Sequence, residues 1–348
     1  MPKTIPKLRA WMQLFKIGPV GEFNSDVKKF YRGNIINVLQ GEGWFKFLDT
    51  PRTLDEIAIN FHYTDLNLLT MILRALVKEK YLEQFKDKKY QANDGIDYST
   101  TVPKPFTEGM VGVQRNFAKA LPDRLRGIYH EFSGGFDLYD WDDSLTAGLY
   151  SHLRKGAFAF AGVSKRKGSF LDVGCGNGFQ TAGIWATYYK NQCFYPGSPM
   201  KIVAVDPEKD FIEIARNEFT RWLRKHIEVN PEVLRAAQQY MPEFQIGKAE
   251  KIPFDENSFD YVYTSAALHW MNAPLAIKEM VRVAKPGGII FGSVRLFPHA
   301  DLFPFFHTQV IKGASGFFYK KDFIKWIKEA GAKKVEFATI VTFFKITK

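Results

Sequence analysis

The sequence predicts an α/β fold: an open, largely parallel sheet in the second half of the chain, preceded by a smaller and mainly helical domain. Three observations carry that prediction. In the stretch Ser169-Phe170-Leu171-Asp172-Val173-Gly174-Cys175-Gly176-Asn177-Gly178-Phe179-Gln180-Thr181, the residues Phe170, Leu171 and Val173 make the apolar run of a strand covered on both faces, and a glycine turn follows. The segment Lys201–Asp206 is a second such run, closed by an acid at the end where a carboxylate can take both hydroxyls of a ribose. Ahead of Asn93 the apolar residues recur at helical spacing instead.

A ligand belongs at the glycine turn. Gly174, Gly176 and Gly178 let the backbone turn sharply and approach a bound molecule without Cβ interference. The helix predicted over 179–189 points its free N–H groups at the same space, which favours an anionic or carboxylate-bearing ligand. A dinucleotide fingerprint would place a third small residue at 179, where Phe179 stands, so the spacing is GxGxG. Taken alone, such a turn is equally well explained as a tight strand-to-helix connection. Here it is followed by Asp206, Lys248-Ala249-Glu250-Lys251-Ile252-Pro253-Phe254, Phe259-Asp260-Tyr261-Val262-Tyr263 and Ala284-Lys285-Pro286-Gly287-Gly288.

In that order these stretches resemble the successive motifs of class I S-adenosylmethionine-dependent methyltransferases, over residues 166–348. The resemblance implies a Rossmann-like seven-stranded domain with S-adenosyl-L-methionine as cofactor. It assigns cofactor contacts to Asp172, Gly174, Gly176, Gly178, Asp206, Ala249, Glu250 and Ser265. One position departs from the pattern. The family often has Asp where Lys248 stands, so the contact to the adenine amino group falls to backbone groups or to Glu250.

Composition bounds the rest. A chain of 348 residues with 46% hydrophobic content suggests about two domains with ordinary cores. No window approaches the roughly 18 apolar residues of a membrane span, and Pro2, Pro6, Lys7, Arg9, Lys16 and Pro19 interrupt the first twenty residues, so a cytoplasmic location is expected. Cys175 and Cys193 are the two cysteines, and a disulfide framework is not expected. No His/Asp/Glu cluster at ligand spacing lies beside the strand ends, so no metal is expected. The net charge of +11 would suit an anionic partner, but the lysines are scattered and runs such as Lys165-Arg166-Lys167 read as solvated loops.

In chain order, residues 1–33 read as an arm whose Leu8, Trp11, Met12, Leu14, Phe15 and Ile17 could dock on the protein itself or on a partner. Over 34–95 the pattern is helix, helix and two-stranded hairpin. Thr53-Leu54-Asp55-Glu56 forms a capping box, Thr64 caps a longer helix bearing Leu66, Leu68, Leu69, Ile72, Leu73, Leu76 and Val77, and the hairpin spans Tyr81 to Ala92. That order suggests a winged helix. Its would-be recognition helix carries only Arg74, Lys78 and Lys80 beside seven apolar positions, so no nucleic-acid partner is expected. Within residues 34–95, Pro51-Arg52-Thr53-Leu54-Asp55-Glu56-Ile57-Ala58 with Leu73-Arg74-Ala75-Leu76-Val77-Lys78-Glu79-Lys80-Tyr81-Leu82 resembles the N-terminal dimerisation domain of small-molecule O-methyltransferases, which implies a homodimer. Residues 96–165 form a connector with helices predicted over 113–121 and 144–160. Within it Phe136-Asp137-Leu138-Tyr139-Asp140-Trp141-Asp142-Asp143 could line a pocket, although Asp142 or Asp143 capping the next helix explains the acids more simply. Core packing is likewise the plainer account of Tyr150.

The strand predicted over 259–264 ends at Ser265-Ala266-Ala267-Leu268-His269-Trp270-Met271, which places His269 and Trp270 at the carboxyl ends of the strands, where ligands bind in open α/β sheets. His269 is the candidate base, and a neutral imidazole could take a proton from a phenol or enol, with activity rising through a pKa near imidazole's own. The O-methyltransferases with the similar N-terminal domain carry His-Asp-Trp here, one residue longer. Other class I families carry Leu-His-Trp with no such role, so base and structural residue both stand. Trp270, Tyr150 and Trp141 are candidates for the acceptor pocket, and the segment 297–316, with His299 and His307, for its walls. The function expected is methyl transfer to a small apolar or aromatic acceptor, at oxygen or carbon. A methyltransferase recruiting RNA or protein and a cofactor-binding regulator without turnover are the alternatives.

Overall fold

The computed structural model describes residues 4–16, 20–103, 106–131, 138–194, 200–297, 302–338 and 343–348. The chain divides into two compact units, one made of Met1–Val20, Leu145–His299 and Phe317–Lys348, the other of Gly21–Ser144 and Ala300–Gly316. The expected divisions after 33, 95 and 165 therefore do not coincide with the cuts between these units.

The first unit is built on a seven-stranded sheet. Its strands are β1 (Ser169–Val173), β2 (Lys201–Asp206), β3 (Glu243–Ile246), β4 (Phe259–Ser265), β5 (Ala284–Ser293), β6 (Lys334–Phe337) and β7 (Phe343–Thr347), in the spatial order β3-β2-β1-β4-β5-β7-β6. The pairings among β1 to β5 are parallel, and β7 runs antiparallel to both β5 and β6. After β1 the chain builds outward to β2 and β3, then returns to place β4 on the other side of β1. The crevice at the carboxyl ends of β1 and β4 is thus the switch point where ligands of such sheets bind.

Alternation along β1 explains why both faces are covered. Phe170 faces an aromatic layer with Phe158, Tyr188, Tyr263 and Phe291, with ring centres 5.1 Å apart for Phe158 and Phe291 and 5.9 Å for Phe158 and Phe170. Leu171 and Val173 face the opposite layer with Val203, Val205, Val262, Ile277 and Phe344. Helix Thr4–Phe15 packs along helix Gly148–Ala161, with Ala10 fully buried, so the predicted amphipathic piece docks on its own unit. The predicted helix over 144–160 is broken at Ala147, which separates Leu138–Thr146 from Gly148–Ala161.

In the second unit the predicted order is present as helix Leu54–Phe61, helix Leu66–Lys78 and the antiparallel pair Leu82–Gln84 with Tyr90–Ala92. The capping box forms as read, Thr53 and Glu56 each accepting the other's backbone N–H. The longer helix is capped by Asp65 rather than Thr64. The Asp65 carboxylate accepts the Leu68 N–H at 2.8 Å, while Thr64 is tied by its own N–H to the Leu125 carbonyl. Asp142 and Asp143 do not cap the helix that follows them, because both lie inside Leu138–Thr146. Asp143 reaches instead to the start of helix Glu108–Lys119 and accepts the Gly109 N–H at 2.7 Å. His307 is buried on helix Leu302–Thr308, its Nδ1 at 3.2 Å from Gln114 Oε1, and desolvation lowers its pKa to about 3. Phe136, Asp137 and His299 lie outside the described residues.

Candidate active site

The glycine turn is stitched to the end of β2. Gly174 and Cys175 both donate their N–H groups to the Val205 carbonyl, at 2.9 and 3.1 Å. The three glycines have φ of 74°, 54° and 78°, a region that L side chains rarely enter. Space is closed to them as well. A Cβ on Gly178 would lie 2.7 Å from the Ala215 Cβ, and one on Gly176 would lie 2.7 Å from Leu145 Cδ1. Asn177 Oδ1 accepts the Phe179 N–H at 3.1 Å and so fixes the entry into helix Phe179–Lys190.

Two buried carboxylates flank the turn. Asp206 accepts the Gly176 N–H on Oδ2 at 2.8 Å and the Glu208 N–H on Oδ1 at 3.1 Å. Burial nevertheless pushes its pKa up to about 6. Asp172 points from β1 toward helix Phe179–Lys190, where Thr181 Oγ1 donates to its Oδ2 at 2.7 Å. Burial raises its pKa to about 7, with Asp206 adding to the rise and Thr181 and Arg154 opposing it. Arg154 is itself buried, its guanidinium donating to the Gly183 carbonyl at 2.8 Å, Gln180 Oε1 at 3.0 Å and Thr187 Oγ1 at 3.1 Å. A carboxylate offers about four acceptor positions, and Asp206 uses two on backbone N–H groups. The remaining acceptor positions of Asp206 could receive the hydroxyl pair of a ribose.

The remaining cofactor candidates divide. Ala249 is buried after β3, while Glu250 Oε1 already accepts the Asn272 N–H at 2.7 Å at the start of helix Ala273–Val283. Ser265 ends β4 with its Oγ 2.6 Å from Ser293 Oγ at the end of β5. Beyond Ser265 the chain passes through Ala266, which has φ 53°, into a short 3₁₀ turn over Leu268–Trp270. This loop lies against the glycine turn. A Cβ on Gly174 would sit 3.0 Å from the Ala267 Cβ and 3.6 Å from Met271 Cε.

His269 is partly buried, with its ring centre 4.7 Å from Trp270 and 5.3 Å from Phe317. Desolvation, with the Arg295 guanidinium adding to it, lowers the imidazole pKa to about 3. That shift favours the neutral ring at physiological pH and moves its titration below imidazole's ordinary range. Arg295 itself lies over Phe317, its guanidinium carbon 6.0 Å from the ring centre. The structure thus brings Asp172, the three glycines, Asp206, Ser265, His269 and Trp270 to one end of the sheet. Tyr150 sits half-buried on helix Gly148–Ala161, and Trp141 belongs to the other compact unit, edge-on to Phe117 at 5.7 Å. Sequence reading missed Thr181, Arg154 and Arg295. A signal for Arg295 was present: a charged residue two positions after the buried end of β5. Among the described residues no group of three or more His, Cys, Asp or Glu side chains could hold a metal ion, and no helix is long and apolar enough to cross a membrane.

Residues 171–292 match the methyltransferase domain family. The chain is 31% identical over 127 residues to an uncharacterized methyltransferase of Schizosaccharomyces pombe, spanning 36% of this chain and 39% of that protein. It is 29% identical to the ubiquinone/menaquinone biosynthesis C-methyltransferase UbiE of Burkholderia multivorans, over 47% of this chain and 57% of that one. The chain thus spans about half the length of the curated relatives it matches. Among solved structures the fold is similar to that of the CurJ carbon methyltransferase, with a TM-score of 0.67 at 14% identity over 97% of this chain and 96% of the other. The sheet order, the glycine turn and the family match together define a class I, S-adenosylmethionine-dependent methyltransferase domain.

Proposed function

We propose that the chain transfers a methyl group from S-adenosylmethionine to a small apolar or aromatic acceptor, at an oxygen or an activated carbon. The observation that carries this reading is the contact between the glycine turn and the loop that holds His269 between Trp270 and Phe317. An aromatic wall beside the cofactor turn suits a small organic acceptor, and the carbon methyltransferase and quinone-biosynthesis names among its relatives support that.

When bound, S-adenosylmethionine supplies an electrophilic methyl on a sulfonium. Asp206 would hold the ribose, Asp172 with Thr181 would present a buried acid to the cationic end, and the glycine turn would present its backbone. Holding two reactants in line can supply about 7 to 11 kcal/mol of a barrier, and that is the main work asked of this site. His269 would accept a hydrogen bond from the acceptor hydroxyl and fix its orientation. Full proton transfer to it from a phenol of pKa ~10 would be strongly uphill, because desolvation holds the imidazole pKa well below its ordinary value. The acceptor must then be acidic in the site before it reacts.

The test is to incubate the protein with S-adenosylmethionine labelled in the methyl group and fractionated cell extract. Label in an organic-extractable compound that persists at high salt supports the proposal. Label in RNA that fades steeply with salt would instead support a macromolecular acceptor, and cofactor binding without label in any fraction a regulator.

We also propose that residues 34–95 form a winged helix that pairs two copies. The apolar face of helix Leu66–Lys78 is occupied within its own unit, with Leu68, Leu69, Ile72, Leu73 and Leu76 each 4% exposed or less, so the pairing surface falls on exposed Ile59 and Leu66. A protein that sediments as a monomer at micromolar concentration would reject the pairing.

A further inference from the structure

We propose that Glu250 is a positioning residue and not a cofactor contact. Its carboxylate ties the turn after β3, where the family resemblance places the adenine contact, to the loop that carries His269 and Trp270, so that cofactor binding orders the acceptor side. The proposal rests on the methyl-transfer reading above and deepens it.

The turn after β3 is fastened without help from Glu250. Gly247 donates its N–H to the Asp206 carbonyl at 3.0 Å, and Lys251 donates to the Lys248 carbonyl at 3.1 Å, which closes a tight turn with Ala249 and Glu250 at its tip. The chain beyond the tip is held by the last turns of helix Ala273–Val283. Glu279 accepts the Ile252 N–H at 2.9 Å, and Arg282 donates to the Ile252 and Phe254 carbonyls at 3.0 and 2.8 Å. These two side chains grip each other through a pair of 2.7 Å bonds, Nε to Oε1 and Nη2 to Oε2, a planar fork on a carboxylate that resists rotation.

Glu250 serves the other end of the same helix. Its Oε1 accepts the backbone N–H of Asn272 at 2.7 Å. Asn272 is the N-cap of helix Ala273–Val283, and its own Oδ1 accepts the Leu275 N–H at 3.3 Å. In a capping box the residue three positions on accepts the N-cap N–H in return. Here that residue is Leu275, which has no acceptor to offer, and Glu250 supplies the missing carboxylate from another segment. Asn272 follows directly on His269, Trp270 and Met271, and Trp270 closes the 3₁₀ turn by donating to the Ala267 carbonyl at 2.9 Å. The exit of the acceptor loop is therefore set by a hydrogen bond from the adenine side.

The chain of contacts is short. A ligand seated against the buried Ala249 fixes the tip of the turn, the tip fixes the Glu250 carboxylate, and the carboxylate fixes the residue that ends the His269 loop. Because Gly247, Glu279 and Arg282 hold the rest of the turn, removing the Glu250 side chain uncouples the two loops while leaving the cofactor side in place.

The experiment uses the full chain with S-adenosylhomocysteine as the probe, and follows backbone amide hydrogen exchange by mass spectrometry over residues 248–254 and 268–275. In the wild type the ligand should slow exchange in both segments, by about fivefold or more in the second. In Glu250→Ala it should still protect 248–254, with affinity changed less than about fivefold, while protection of 268–275 falls below about twofold. Glu250→Gln keeps an acceptor oxygen in the same place and should restore most of that protection. A merely structural role would speed exchange over 268–275 equally with and without ligand. An unchanged ratio of that kind overturns the proposal, and so does a loss of affinity of about fivefold or more in Glu250→Ala, which would make Glu250 a cofactor contact. Should Glu250→Ala not fold, Asn272→Pro deletes the same bond from the donor side, since Asn272 has φ −72°, within proline's range. It should lose the protection of 268–275, and Asn272→Ala, which removes the cap but keeps the N–H, should retain it. Absence of S-adenosylhomocysteine binding in the wild type would sink the methyl-transfer reading itself, whereas binding without protection of 268–275 rejects the coupling alone.

Discussion

The two ends of the site are built from different materials. At the cofactor end, Asp172 and Asp206 are buried acids held by backbone N–H groups and one hydroxyl, around a turn whose glycines admit no side chain. At the acceptor end, a neutral imidazole, two aromatic rings and a guanidinium come from the loop after β4 and the segments after β5. The largest expected effect tests the acceptor end. His269→Ala should lower the transfer rate on the order of 10²-fold, through lost orientation of the acceptor, with cofactor affinity near wild type, read by single-turnover kinetics and calorimetry. Because burial holds the imidazole near pKa 3, wild-type activity between pH 5 and 9 should show no limb belonging to His269. A limb near imidazole's ordinary pKa that the variant loses would mean that the ring is solvated and titrating.

The same contrast explains what could be read in advance. Phe170, Leu171 and Val173 announce a doubly covered strand because sheet alternation is local, and the spacing of Gly174, Gly176 and Gly178 announces the turn because backbone conformation is local too. Asp143 capping a helix that starts at Glu108, or Asn272 claiming Glu250, depends on contacts between distant segments and leaves no local trace. The lowered pKa of His269 escapes the sequence for the same reason. Phe317 and Arg295, which set its environment, follow it by 48 and 26 residues, and a ring seen only in Leu268-His269-Trp270 looks like an ordinary imidazole.

The next effect tests the cofactor end. Asp206→Asn keeps the size of the side chain but removes the charge that accepts the ribose hydroxyls, and should weaken S-adenosylhomocysteine binding by ~1.5 to 3 kcal/mol, or about 10- to 150-fold. The wild type should also be pH-sensitive. Both acids have folded pKa values raised above an unfolded value near 3.9, so the stability they contribute is present at low pH and lost as pH rises through about 6 to 7. A ligand that prefers the anions reverses the trend. Its stabilisation of the protein, read as the increase in Tm on adding S-adenosylhomocysteine, should grow from pH 5 to pH 8, with affinity changing up to about tenfold per pH unit where one proton is released. Equal increments at both pH values would show that the carboxylates do not face the ligand.

The smallest effect separates Asp172 from Asp206. Thr181 donates a 2.7 Å hydrogen bond to Asp172 and is one of the two groups that hold its pKa down against burial. Thr181→Val keeps the shape and removes the donor, so the Asp172 pKa should climb further above about 7 and the acid should be more fully protonated at neutral pH. If that carboxylate meets the cationic end of the cofactor, affinity at pH 7 should fall about three- to tenfold, corresponding to a rise of up to one pKa unit. The deficit should shrink as pH is raised toward 9, where Asp172 ionises in both proteins. Calorimetric titrations with S-adenosylhomocysteine at pH 6.5, 7.5 and 9 would distinguish this from a packing defect. A misplaced helix Phe179–Lys190 would cost the same factor at every pH, because it moves the glycine turn whether or not Asp172 carries a charge.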